Sequence, residues 1–434
     1  MPDAFVAIYP ELLEMDVYRY TVKTDAKTAG FKKGYVPFVL YRGAQEDVTV
    51  FVDWGDGTQV ERLPWYETQQ EIVEDAYTHE YAEPGEYTIS VMSFDFDKLY
   101  ITSNYSYELK TDYAPTLISV DTMLPNLRGV LYKTSSSGSR RTYAENFGHC
   151  FSNCSSLTAI PQGLFDNNPS VTNFSSCFYG CSSLTAIPQG LFDNNPAVTS
   201  FGSCFSNCSS LTAIPHGLFD NNPAVTSFGS CFAHCSSLTA IPQGLFDNNP
   251  SVTDFASCFW NCVKITEIPV GLFIKNTKVT DFHITFFNTA ITSIPNGLID
   301  NCPLVTDIAG MFGSTEITSI PSGLFSNQNL VTTLGNNKIQ GSNGVFSNTD
   351  KTLPNSAIDV DMFAHMLDLT EVSFAFLARA GFSIRFRATE ISKANSFCSK
   401  KTGQTTTVYV PAGSTTAATF HTLESKLGLN VVEE

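Results

Sequence analysis

An internal repeat constrains this chain more than any other feature. The segment Cys150-Phe151-x-x-Cys154-Ser-Ser-Leu157-Thr-Ala-Ile160-Pro161-x-Gly163-Leu164-Phe165-Asp166-Asn-Asn-Pro169-x-Val171-Thr-x-Phe174 recurs almost unchanged. Its first cysteine returns at Cys177, Cys204, Cys231 and Cys258, a strict period of 27 residues. The Ile-Pro step sits at Ile160, Ile187, Ile214, Ile241 and Ile268, then at Ile294 and Ile320 with a period of 26. Phe363, Met366, Leu369 and Val372 repeat the spacing of Phe151, Cys154, Leu157 and Ile160. Upstream, Leu117 and Val120 read as a worn first copy, followed by a polar insertion around Ser135–Ser139. A unit this short cannot bury its own apolar face, so copies must stack into a solenoid with a shared core.

The apolar ladder is expected to be Phe151, Leu157, Ile160, Leu164, Phe165, Val171 and Phe174, with their equivalents in each coil. The Leu-Thr-Ala-Ile-Pro segments are expected to pair coil to coil as a parallel β-sheet. Pro161 then ends each strand, because it lacks the ladder donor. Asp-Asn-Asn-Pro reads as a turn, and Phe-x-x-Cys as a short helical turn.

The pattern Cys-x-x-Leu-Thr-x-Ile-Pro with a following Gly-Leu-Phe resembles the BspA-type leucine-rich repeats of bacterial surface proteins, over roughly residues 113–410. The segment Thr405–Ser414 with its short helical continuation is similar to the closing segment of such arrays. The resemblance implies adhesion or surface recognition, and binding instead of catalysis. The period of 27 is longer than the commonest unit of that family.

Charge divides the chain. There are 25 Lys and Arg against 42 Asp and Glu, a net of −17. Residues 1–125 hold 9 basic and 22 acidic side chains, whereas Thr142–Val263 contains no Lys or Arg. Phosphate contacts need clustered cations, so nucleic acid is excluded as a partner. Residues 1–112 are rich in β-branched and aromatic runs such as Val17–Val22, Phe38–Tyr41, Val48–Val52, Tyr87–Val91 and Leu99–Thr102. The segments Asp53-Trp54-Gly-Asp56-Gly-Thr58 and His79-Glu-Tyr81-Ala-Glu-Pro84-Gly85-Glu-Tyr87 together resemble the PKD-type immunoglobulin-like β-sandwich. That resemblance implies a spacer or contact module on an exported protein. Asp53 and Asp56 read as turn caps; a cation is the other reading, without the Asp-x-Asp-x-Asp-Gly loop of a calcium hand.

The resulting fold class is β-rich and multidomain. A PKD-like sandwich spans 1–112, a cap or degenerate repeat 113–149, the leucine-rich-repeat array of at least seven coils 150–400, and a C-terminal cap 401–434. Length agrees, since 434 residues suit two or three domains. The first basic residue is Arg19 and the first apolar run, Phe5–Tyr9, is five residues long, unlike a secretory signal. No run is long enough for a membrane helix, and membrane insertion is not expected.

Ten of twelve cysteines occur as Cys-x-x-x-Cys in five consecutive coils. Stacking makes them two columns of small apolar side chains; Met366 in one such place suits an apolar slot and not a zinc ligand. Buried thiols are the expectation, with disulfides or metal as the alternatives. His149 and His234 each precede a cysteine, but no third orienting residue repeats with them. No nucleophile elbow, zinc-protease or phosphate-loop motif is present. No enzyme, cofactor or metal site is expected.

Surface function is read from what varies between coils. The pairs Ser152-Asn153, Tyr179-Gly180, Ser206-Asn207, Ala233-His234 and Trp260-Asn261 change, as do Gln162, Gln189, His216 and Gln243, and Asn173, Ser200, Ser227 and Asp254. Each set forms a column, and Tyr179, His234, Trp260, His216 and Asp254 are the candidate ligand contacts. The expected ligand is a cell-surface glycan or a protein receptor. A basic segment, Arg379, Arg385, Arg387, Lys393, Lys400 and Lys401 against Glu390, suits an acidic partner such as the N-terminal domain of a neighbouring copy. The expected setting is extracellular, on a bacterial cell surface. The alternative is a tail-associated phage virion protein that binds a receptor or serves as structural decoration. In either setting a homo-oligomer, or a virion or surface-layer partner, is expected through the N-terminal domain.

Overall fold

In the computed structural model the described residues are 16–24, 33–35, 38–39, 50–62, 78–93, 100–102, 117–125, 127, 129–133, 140–336, 343–347, 354–355, 358–373, 375, 380–398 and 400–434. They form two compact units, Met1–Leu211 and Thr212–Glu434.

The first unit opens with β-structure. Alternating polar and apolar residues give β1 (Asp16–Lys23), whose Tyr18, Tyr20 and Val22 are buried. It pairs antiparallel with β7 (Glu86–Ser93) and with β9 (Leu117–Val120). Strands β4 (Val50–Asp53) and β5 (Glu61–Arg62) complete a sheet in the order β5-β4-β7-β1-β9. A second sheet runs β11 (Arg140–Ala144), β10 (Gly129–Lys133), β8 (Tyr100–Thr102), β3 (Phe38–Val39). A third pairs β2 (Lys33–Tyr35) with β6 (Thr78–Glu80). The turn after β4 is built as the sequence reads: Asp53 Oδ1 accepts from Gly55 N at 2.9 Å and Asp56 Oδ1 from Thr58 N at 3.0 Å. His79 lies 2.7 Å from Asp56 and stacks on Trp54, while the Tyr81 hydroxyl donates to the Trp54 carbonyl. Turn and opposite strand are thereby locked together. Parts of the runs 38–41, 48–52 and 99–102, and the insertion at 135–139, lie outside the described residues.

The worn copy at Leu117–Val120 is a joint. One edge of β9 pairs with β1, and Ser119 bridges in parallel to Ala159 of the first full coil. Coils then stack by ring on ring: Phe151 on Phe178 at 5.3 Å, Phe165 on Phe192 at 5.8 Å and Phe174 on Phe201 at 5.9 Å, the ring planes of each pair nearly parallel.

The second unit is built from coils of the same kind. Its columns run Phe219–Phe246–Phe273, Phe228–Phe255–Phe282 and Phe232–Phe259–Phe286–Phe312–Phe346, with centroids 5.8 to 6.4 Å apart. It closes with β12 (Thr333–Asn336), β13 (Asn343–Gly344) and β14 (Glu371–Val372), and with a parallel sheet of β15 (Ser383–Arg385), β16 (Thr406–Val410) and β17 (Leu429–Glu433). Between the last two lie α1 (Thr415–His421), capped by the Ser414 hydroxyl, and α2 (Glu424–Leu427).

Among the described residues, one parallel bridge, Ser119 to Ala159, lies on Leu-Thr-Ala-Ile-Pro, and most others fall elsewhere than the sequence suggests. They occur at the Val-Thr-x-Phe step, through Asn146–Asn173–Ser200 in the first unit and Ser227–Asp254–Asp281–Asp307–Thr333 in the second. Leu-Thr-Ala-Ile-Pro is extended and carries longer bonds, such as those from the Thr239 N–H and hydroxyl to Thr212 O, both at 3.3 Å. The reason is the proline, which removes a donor from that segment in every coil. In the second unit threonine columns run along both segments, and at Val-Thr-x-Phe the backbone bonds are shorter: Thr253, Thr280 and Thr306 each donate N–H at 2.9 Å, and hydroxyl as well, to the preceding threonine carbonyl.

Candidate recognition surface

The paired-cysteine segment is not helical. In the first unit, Phe174, Ser176, Phe178 and Gly180 donate their N–H groups to Ser200, Gly202, Cys204 and Ser206 of the next coil at 2.8 to 3.0 Å. The intervening Cys177, Tyr179 and Cys181 donate to Phe174, Ser176 and Phe178 within the coil. The second unit repeats this from Phe255 to Cys262. Alternate amides thus face along and across the stack, satisfying the backbone without a helix. The geometry requires a left-handed residue at fixed places: Ser176 and Gly180 have φ of 56° and 73°, Ser257 and Asn261 61° and 60°.

This backbone explains much of the variation between coils. The second residue of each inter-cysteine pair is Asn153, Gly180, Asn207, His234, Asn261, Asn288 or Ser314, all with positive φ. Gly, Asn and His are residue types that tolerate this region. The position is therefore restricted, and the reading that it varies freely is corrected. The first residue of the pair splits by size: Ser152, Ser206 and Ala233 are buried, whereas Tyr179 is 37% exposed and Trp260 and Phe287 are half-buried. Small residues lie under the wall and large ones emerge from it.

Tyr179 emerges in the first unit. The second unit brings two of the candidates together: the His234 ring meets Trp260 edge-on at 4.4 Å. His234 Nδ1 lies 3.1 Å from Asn261 Nδ2, and Asn288 Nδ2 donates to Asn261 Oδ1 at 2.7 Å. Burial lowers the His234 pKa, so the ring is neutral near pH 7 and its Nδ1 accepts from the amide. Beside this polar column stand Trp260 and, one coil on, Phe287. The Phe287 ring occupies the space over Gly313, where a Cβ would sit 2.7 Å from it. Phe287 and Asn288 were missed by pattern reading because the repeat loses a residue in their coil and threonine replaces its cysteines.

The other candidates lie elsewhere. His216 is exposed at the turn after Pro215. Asp254 is turned inward: its Oδ1 accepts from Ala256 N at 2.8 Å and its Oδ2 from the Ser227 hydroxyl at 2.8 Å. It heads an acidic column with Asp281 and Asp307. Burial first, then the charges of Asp307 and Asp254, raise the Asp281 pKa against the opposing bond from His283 N. The buried His283 ring faces this column, Nδ1 being 3.7 Å from Asp307 Oδ1. Burial pushes the His149 pKa down to about 4.

Each cysteine is a buried thiol. Burial raises the Cys177, Cys204, Cys258 and Cys262 pKa values, and pushes Cys302 up to about 12. The second cysteine donates backward, as from Cys181 Sγ to Phe151 O at 3.1 Å and Cys262 Sγ to Phe232 O at 3.1 Å. Where the pattern decays, Thr289 in that place donates to Phe286 O of its own coil, and Thr285, in the place of the first cysteine, donates backward to Phe255 O. A second column went unread. The last asparagine of Asp-Asn-Asn-Pro is buried, and Asn249 Nδ2 donates to Phe219 O and Asn222 O of the coil before, at 3.0 and 2.9 Å. In the basic segment, Arg385 is held by Asp361 and Glu434, and Lys393 faces Glu371. Arg379 lies outside the described residues.

Among the described residues no group of three or more His, Cys, Asp or Glu is placed to hold a metal, and no helix is long and apolar enough to cross a membrane. No family model and no curated protein matches the chain. Among solved structures it is similar to the leucine-rich-repeat domain of APL1, at 14% identity and a TM-score of 0.25 over 52% of this chain and 47% of that one. It is also similar to the LRIM1/APL1C complex (10%, 0.24, over 68% and 39%) and to the TLR13–ssRNA13 complex (11%, 0.23, over 72% and 58%). The chain therefore spans about half the length of the structures it matches. With identities and TM-scores this low the matches carry no argument, and the coil architecture rests on its own stacking and hydrogen bonds.

Proposed function

We propose that this is a non-enzymatic recognition protein that works outside the cell that makes it. Its leucine-rich-repeat-like coils bind a cell-surface glycan or protein, and the N-terminal β-domain serves as attachment or spacer. One observation carries the reading. The apolar positions that repeat between coils are buried scaffold, whereas Tyr179, Trp260 and Phe287 reach the surface at a place where other coils carry a buried serine or alanine. Exposed aromatics supply contact area at low entropic cost. The neutral polar face around them suits hydrogen-bonded recognition. Fluorescently labelled full-length protein, titrated onto bacterial cells and isolated envelopes, is expected to bind saturably. Absence of saturable binding to every surface tried would sink the proposal.

A further inference from the structure

We infer that His234, Trp260, Asn261, Phe287 and Asn288 form a subsite for an uncharged, extended oligosaccharide running along the coil axis. The inference rests on the recognition reading above and narrows its ligand to carbohydrate. Three features meet in one strip of the second unit. First, the amides of Asn261 and Asn288 and the His234 ring are linked by side-chain hydrogen bonds of 3.1 and 2.7 Å. Each sits on a backbone of positive φ that fixes where the side chain leaves the wall. Such a column offers preorganised neutral donors and acceptors, which suit hydroxyl groups better than they suit charged ligands. Second, Trp260 and Phe287 flank the column, and an aromatic ring is the natural partner for the apolar C–H face of a pyranose. Phe287 is kept in place by its seat over Gly313, and Trp260 by its edge contact with His234.

Third, the strip has a repeat of its own. The strip's own backbone joins neighbouring coils, His234 N to Trp260 O at 2.6 Å and Asn261 N to Phe287 O at 2.9 Å, which sets them about 4.8 Å apart, close to the span of one sugar in an extended chain. One coil therefore meets about one sugar, and the three coils bearing His234, Asn261 and Asn288 meet a trisaccharide.

The test titrates the full-length chain with neutral linear oligosaccharides of one to six hexose or N-acetylhexosamine units, by calorimetry. For the matching sugar, affinity should rise at least tenfold from one unit to three and then level off. Trp260→Ala and, separately, the exposed Asn288→Ala should each weaken the trisaccharide at least fivefold while the melting temperature is kept. If no neutral oligosaccharide binds, or if affinity ignores chain length or both substitutions, the inference is wrong. Saturable cell binding that survives periodate oxidation of the surface sugars would overturn it while leaving the recognition reading intact.

Discussion

At the scale of single residues, the backbone decides what the sequence lets vary. Position 234 has φ of 61°, and its equivalents are Asn, Gly or Ser; an ordinary L side chain costs about 1–2 kcal/mol in this region, which Gly and Asn escape and a β-branched residue does not. His234→Val should therefore lower the urea unfolding free energy by about that amount, whereas His234→Asn should leave it nearly unchanged. Equal effects of the two would contradict the left-handed assignment. The cysteines obey a different constraint, that of a small slot with a backward carbonyl. As thiols buried in the core they should resist Ellman's reagent in the native protein, and all twelve should react once denatured. Rapid native titration of several would refute the burial. Gly190 shows why glycine recurs at the turn: at φ of 70°, an added Cβ would lie 2.7 Å from Asp193 Oδ2.

At the scale of elements, columns and not strands hold the coils together. Removing the Asn249 amide leaves the Phe219 and Asn222 carbonyls without that donor, so Asn249→Ala should cost about 1–3 kcal/mol in chemical denaturation. A neutral result would show that the asparagine column is incidental. The acidic column behaves in the opposite sense. Because the fold raises the Asp281 pKa, its ionised form is disfavoured there, and the fold loses stability as pH rises through that raised value. Asp281→Asn keeps an acceptor for His283 N and should stabilise the protein at pH 7. The gain should shrink as pH falls below the ordinary carboxylate range; a gain independent of pH would assign it to some other cause. Much of this was legible in the chain. The period, the apolar ladder, the turn at Asp53–Thr58 and the buried cysteines follow from residue types at fixed spacing. Which segment carries the bridges was not, since Leu-Thr-Ala-Ile-Pro and Val-Thr-x-Phe are both β-prone and only stacking shows what the proline costs. The left-handed positions were hidden for a related reason: Asn, His and Ser look like polar surface until φ is known.

At the scale of the molecule, charge and recognition are separated. The acidity belongs to residues 1–125, while the coils from Thr142 to Val263 carry no Lys or Arg. Recognition by neutral side chains implies weak screening, so affinity for a target surface should change less than about threefold between 50 and 500 mM salt, where charge-driven binding would fall steeply. Candidate contacts were only partly readable from sequence. Tyr179 and Trp260 stand out by size, but the union of His234, Asn261 and Asn288 depends on stacking across a coil that has lost a residue. The most direct measurement compares binding isotherms of full-length wild type, Tyr179→Ala and Trp260→Ala on the same cell-envelope preparation, with melting temperatures recorded alongside. Loss of tenfold or more in affinity for Trp260→Ala, about 1.4 kcal/mol, at unchanged melting temperature is the result predicted here. Wild-type affinity in both variants would contradict the claim that these coils recognise their target through the aromatic side chains on their surface.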